Sequence, residues 1–137
     1  MLNNRILYIF VCTLLCLSSV IAKAQSVTVD ARIDSIQRFI GEQAHIKLEV
    51  SCGTNQKLQM PLFSDTLITG VEIIDIAKAD TQYLNNKERM MVTQEYTITS
   101  FDSASYYIPP FEVLVDGQKY NSQSLALMVY PMPLDEE

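Results

Sequence analysis

The sequence predicts an all-β domain, an immunoglobulin-like sandwich of about seven to nine strands, preceded by a signal peptide. Three observations predict it. Apolar and polar residues alternate with a period of two through most of the chain after residue 25. Turn-forming clusters such as Gly53-Thr54-Asn55 and Asp116-Gly117 break that alternation at short intervals. No stretch there carries the apolar period of a surface helix. Strands wet on one face must cover the other, and two sheets laid face to face do so; a closed barrel is the alternative.

The N-terminus has the layout of an export signal. Met1 to Arg5 is polar with one arginine, Ile6 to Cys16 is almost wholly apolar, and Ala22-Lys23-Ala24 supplies a small-x-small cleavage site. The apolar stretch, about 16 residues, falls short of the ~20 that span a bilayer. Cleavage after Ala24 makes Gln25 the first mature residue. An uncleaved anchor is one alternative. Lipidation at Cys16 is another, although the large Leu15 precedes that cysteine. The expected organisation is a signal peptide over 1–24, a sandwich over 25–131, and a tail or linker start over 132–137.

Arg5 and Lys23 leave with the signal, so eight of the ten Lys and Arg remain against sixteen Asp and Glu, a balance of −8. Such a surface suits neither nucleic acid nor anionic lipid. Of the three cysteines only Cys52 remains, which rules out an internal disulfide. A domain of this size holds together on its core alone, and a periplasmic setting fits. No later stretch is long and apolar enough to span a membrane, so membrane attachment is expected only if the chain continues into an anchor.

The strands read off in order. Val27 to Ile33 alternates with odd positions apolar. Residues 34–43 read as a connection ending in Gly41-Glu42. Ala44, Ile46, Leu48, Val50 and Cys52 make the clearest strand. Leu58, Met60 and Leu62 suggest a third, with Pro61 forcing an edge or a bulge. Val71 to Ile76 and Thr81 to Leu84 follow. In Met90 to Ser100, Val92, Gln94, Tyr96 and Ile98 share one face and threonines line the other, which favours a strand over a helix. Tyr106-Tyr107-Ile108 is interrupted by Pro109-Pro110, and Phe111, Val113 and Val115 resume. Asp116-Gly117 is a hairpin turn, because both of its residues tolerate positive φ. Ser124 to Tyr130 closes the domain.

Residues for catalysis are scarce. The one histidine, His45, lies on the polar face of a strand beside Lys47 and Glu49, which neither completes a metal site nor supplies a triad base. Cys52 ends a strand facing inward, as a buried inert thiol does. No calcium loop or phosphate-binding glycine loop is present. The expectation is a protein that is not an enzyme, with no catalytic, cofactor-binding or metal residues. Tyr106 and Tyr107 point to opposite faces, so one of them is exposed. With Pro109 and Pro110, these tyrosines are the candidate contacts for a partner. The two prolines also blunt the strand edge and could switch the strand between sheets.

The segment Phe101-Asp102-Ser103-Ala104-Ser105-Tyr106-Tyr107-Ile108-Pro109-Pro110-Phe111-Glu112-Val113, followed by Asp116-Gly117, Tyr120 and Leu125, Leu127, Val129, resembles the BatD-like family of oxygen-tolerance or aerotolerance proteins, of the Bacteroidetes type. The first half is similar too, with Val27 and Val29, then Ile40-Gly41-Glu42 leading into Ile46, Leu48 and Val50. The resemblance covers about residues 26–131. It implies immunoglobulin-like domains on the periplasmic side and a membrane helix near the C-terminus. It also implies association with a MoxR-type ATPase and von Willebrand A-domain proteins, and no established catalytic residues. This sequence departs from that pattern in carrying no C-terminal membrane helix, as a shortened member or the first domain of one would. The expected role is a periplasmic interaction or scaffold module in an envelope complex. A surface adhesin, pilin-like or carbohydrate-binding sandwich is the alternative.

Overall fold

The computed structural model describes residues 3–17 and 26–134. The expected cleavage site at Ala22-Lys23-Ala24, the new terminus Gln25 and the acidic end Asp135-Glu136-Glu137 lie outside the described residues. Helix α1 (Asn4–Leu17) takes up most of the apolar N-terminal stretch. No helix among the described residues is long and apolar enough to cross a membrane.

The domain consists of strands β1 (Thr28–Ile33), β2 (Gln37–Phe39), β3 (Gln43–Gly53), β4 (Leu58–Gln59), β5 (Thr66–Ile68), β6 (Val71–Ile76), β7 (Asp80–Leu84), β8 (Arg89–Thr99), β9 (Ala104–Ile108), β10 (Glu112–Val115), β11 (Gln118–Asn121) and β12 (Leu125–Tyr130). One sheet has the order β1-β3-β8-β6-β5, with β7 also on β8. β6 and β7 run end to end along β8: Glu72 faces Thr99, Ala77 donates to the Glu95 carbonyl at 2.9 Å, and Leu84 faces Arg89. They are one strand interrupted by irregularities in register, the first between Ile73 and Asp75.

The other layer comprises β11-β10-β4 and β2-β12-β9. These are two three-stranded sheets joined end to end through one hairpin. Glu112 faces Asn121, and Ile108, four residues earlier, faces Leu125, four residues later. The hairpin from Ala104 to Tyr130 therefore keeps its register across Pro109-Pro110. Its turn, Asp116-Gly117, has φ of 51° and 79°, as expected for two residues of positive φ. Joining the interrupted segments leaves nine strands among the described residues.

What changes at the break is the face. In β10, Val113 and Val115 are buried, as is Phe111 just before it; in β9, Ile108 is buried and Tyr106 half-buried. The inward residues are odd-numbered on one side and even-numbered on the other. The opposite strand shifts in step, from Tyr120 and Ser122 to Leu125, Leu127 and Val129. Prolines have no N–H to lose from a ladder, so two in succession are a low-cost place for this shift. The prolines split the strand, and its two parts pair in different three-stranded sheets.

Side chains stand in for backbone where ladders stop. Phe111 donates its N–H to Ser122 Oγ at 2.9 Å, while the Ser122 N–H donates to the Phe111 carbonyl. At the end of β1, Asp34 N–H donates to the His45 carbonyl, and Asp34 Oδ1 accepts the His45 N–H at 3.0 Å. The chain is thus free to turn away toward β2. Gln123 clasps the outer edge of β1: its Nε2 donates to the Ala31 carbonyl and Asp30 Oδ1, both at 2.7 Å, and its Oε1 accepts the Ala31 N–H at 3.2 Å. Buried backbone groups need partners, and these side chains supply them.

The core fills the space between the layers. Ala44, Ile46, Leu48, Val50 and Cys52 of β3 meet Tyr96 and Ile98 of β8 and Ile108, Val113 and Leu127 from the facing layer. Phe63, Tyr96 and Phe111 form a cluster with centroids 5.7–5.8 Å apart, each pair contributing about 0.5–1.5 kcal/mol beyond its burial. Tyr96 is fully buried, and that burial pushes its phenol up to about 12. Its hydroxyl donates to Gln94 Oε1 at 3.0 Å, which explains a polar residue on the inward face of β8.

Three sequence expectations are corrected. Residues 34–43 contain a strand, β2, pairing in parallel with β12. The strand expected through Leu58, Met60 and Leu62 stops at Gln59, because Pro61 has no N–H to continue it, and Leu62 is 98% exposed. The return strand expected to begin at Ser124 already pairs from Gln118, as β11, which carries Tyr120.

Replacing Gln123 with alanine strips the Ala31 N–H and C=O of their partners. Urea unfolding of Gln123→Ala should show a stability loss of about 1–3 kcal/mol. An unchanged midpoint would mean that water serves the β1 edge equally well.

Candidate functional site

Tyr106, Tyr107, Pro109 and Pro110 come together at the end of β9, with different roles. Tyr106 points inward. Its hydroxyl donates to the Asp102 carbonyl at 3.0 Å, and the buried Ser100 hydroxyl lies 3.0 Å from it. The ring lies against Gly70, where a Cβ would come within 2.7 Å of it; Gly70 also has φ of 89°. A tyrosine at the start of a strand that has just crossed between layers, bonded back to the preceding loop, is a tyrosine corner. The sequence has no tryptophan and only one cysteine after residue 24, so the disulfide and tryptophan of an antibody core are missing, yet this one element of it is present. The signal was legible as a tyrosine four residues after the Asp102 turn.

Tyr107 points the other way and is 65% exposed. It faces Ala126, and two residues along β12 lies Met128, then Tyr130 opposite Phe39 of β2. Met128, Tyr130 and Phe39 are all exposed. An apolar row therefore crosses three strands on the outer face of this layer, where solvated strands ordinarily carry polar residues. Reading strands singly hid it, because the row exists only across β2, β12 and β9.

Pro109 and Pro110 are exposed and line an open cleft of about 360 Å³ with Pro61, Phe63, Leu67 and Ile68. The cleft lies between the 60–68 segment, which leaves the sheet at Pro61, and the hairpin break. Glu112 is the one charged residue on its wall, and its Oε1 lies 3.7 Å from Lys119 Nζ.

His45 and Cys52 are each held by structural contacts. His45 Nδ1 lies 3.0 Å from Asp34 Oδ2, and Arg38 donates to the same oxygen at 3.1 Å. Burial works to raise the Asp34 carboxyl, but hydrogen bonds from the His45 amide and ring, the Arg38 charge and the Ser35 amide together hold it below its ordinary value. Cys52 is buried, and that burial pushes its thiol up, away from the reactive thiolate. Among the described residues no cluster of three or more His, Cys, Asp or Glu is placed to hold a metal ion.

The layer order places β1-β3-β8-β6 opposite β4, the β9–β10 strand and the β11–β12 strand. With the tyrosine corner between the layers, this defines an immunoglobulin-type sandwich module. The family model described as the BatD DUF11-like domain matches residues 31–129, and the chain belongs to this aerotolerance-associated BatD family. No curated protein and no solved structure is significantly similar to the chain.

A carboxyl depressed in the folded state stabilises the fold above its unfolded pKa, and that contribution is lost as pH falls through the folded value. Stability should therefore decline as pH drops below about 4, and the decline should be shallower in Asp34→Asn. Urea titrations of both proteins across the acid range check this; parallel curves would remove Asp34 from the acid limb.

Proposed function

We propose that the protein is an exported, non-catalytic interaction or scaffold module that docks envelope proteins, with von Willebrand A-domain proteins and a MoxR-type ATPase as the complex it serves. The observation that carries this reading is the apolar row of Tyr107, Met128, Tyr130 and Phe39 on the outer face of the second layer. An exposed aromatic and methionine surface on a rigid sheet is a ready docking face, and aromatics dominate the binding energy of such surfaces. The export-type N-terminus and the membership of the BatD family support a periplasmic site of action. The non-catalytic part is supported by what surrounds the reactive groups. His45 is tied to Asp34 on an exposed sheet face, and Cys52 is enclosed in the core.

The second reading, a surface adhesin or carbohydrate-binding sandwich, draws on the same aromatics. It requires the domain to be reachable from outside the cell.

In pull-downs from solubilised envelopes, the protein should recover A-domain proteins, and Tyr107→Ser should reduce that recovery several-fold, a loss of roughly 1–2 kcal/mol for an exposed aromatic contact. Because Tyr107 is mostly exposed, its thermal midpoint should stay put. Equal recovery by both proteins defeats the docking face. Digestion of the protein by protease added to intact cells favours the surface reading.

A further inference from the structure

The second layer has an open edge beside its cleft. Met128 donates its N–H to the Ile36 carbonyl, and the Tyr130 carbonyl accepts from Ile40. Even-numbered residues of β12 therefore turn their backbone groups toward β2, and odd-numbered ones toward β9. It follows that Ala104, Tyr106 and Ile108 pair with β12, while Ser105 and Tyr107 turn their N–H and C=O outward. Among the described residues no strand covers them. The strand that flanks β10, β4, pairs only through Gln59 and Leu58, and the chain then departs at Pro61. Ser105 and Tyr107 are exposed, and their N–H groups have no partner among the described residues.

We propose that this edge accepts an extended peptide segment of a partner protein, added antiparallel or parallel to β9, with alternating apolar residues and a basic residue near each end. The unpaired groups of Ser105 and Tyr107 call for a backbone, since four groups at strand spacing match another strand and no globular surface. Residues opposite each other in a sheet point to the same face. Side chains of the added strand opposite Tyr106 and Ile108 therefore point inward, toward the cleft lined by Phe63, Leu67, Ile68 and Pro110. That sets the apolar alternation. Charge sets the ends: exposed Asp102 lies just before β9, exposed Glu112 just beyond the prolines, and exposed Asp65 on the facing segment. Pro109, with no N–H, limits the pairing to the length of β9. The inference rests on the docking reading in that the segment belongs to an envelope partner, but it uses the strand edge and not the outer apolar row.

The test uses the protein purified after export and a short synthetic peptide of alternating valine and threonine with a lysine at each end. Titration with hydrogen-exchange detection should slow exchange at the Ser105 and Tyr107 amides. Ser105→Pro removes an N–H that no strand uses, and should weaken peptide binding by about ten-fold or more while the far-ultraviolet spectrum stays that of a β protein. Should that variant misfold, a peptide N-methylated at alternate residues replaces it: one methylation phase should bind and the other should not. Absence of protection at Ser105 and Tyr107, or equal binding by both methylation phases, overturns the proposal. Protection that rises with protein concentration without peptide assigns the edge to a second copy of the chain and overturns it too. If Tyr107→Ser loses the envelope partner while the peptide gives no protection, the outer face stands and the edge falls. If the peptide binds and envelope recovery is unaffected, the reverse holds.

Discussion

The pairing of β3 with β8 is the constraint on which the rest of the structure depends. Eleven residue pairs run without a register shift from Gln43 opposite Thr99 to Gly53 opposite Arg89. This ladder fixes one row of inward side chains, from Ala44 to Cys52, against another that includes Tyr96 and Ile98. A slip of one residue would send every one of them to solvent. The neighbouring strands are hung on this pair, β1 on β3 and the β6–β7 strand on β8, with β5 added outside β6, and they can bend or break because the central ladder does not.

The facing layer tolerates interruption on different terms. Its hairpin crosses two prolines, and at three places where ladders stop a side chain stands in for a missing peptide group. Ser122 replaces an acceptor within the hairpin, Gln123 reaches over to the other layer, and Asp34 finishes the ladder of β1. These three residues have no apolar periodicity and little propensity to form strands. They are placed where ladders end because they can mimic a peptide group. The Gln123 clasp also protects an edge that would otherwise invite pairing with another chain.

Much of the fold was legible in the sequence. Strict alternation marked β3 and the long β8, Asp116-Gly117 marked the hairpin turn, and the inward Cys52 followed from parity alone. What stayed hidden depends on partners far apart in the chain. Three-residue β2 has no pattern of its own and exists because β12 lies beside it. Gln94 looked out of place among apolar neighbours until the Tyr96 hydroxyl was seen to need it. Of the candidate contacts, exposure of one of the two adjacent tyrosines was predictable. Which one was not, since parity counted back from Val113 points Tyr107 inward and Tyr106 out.

That reversal has an evolutionary consequence. The proline joint decouples the two halves of the hairpin in phase while leaving them coupled in position. Mutations that recompose the exposed row near β9 need not be matched by changes near the Asp116-Gly117 turn, whose residues obey the opposite alternation. The outward positions of β9 and β12 can therefore vary without regard to those beside the turn, while Tyr106, Ile108 and Leu127 between them stay committed to the interior.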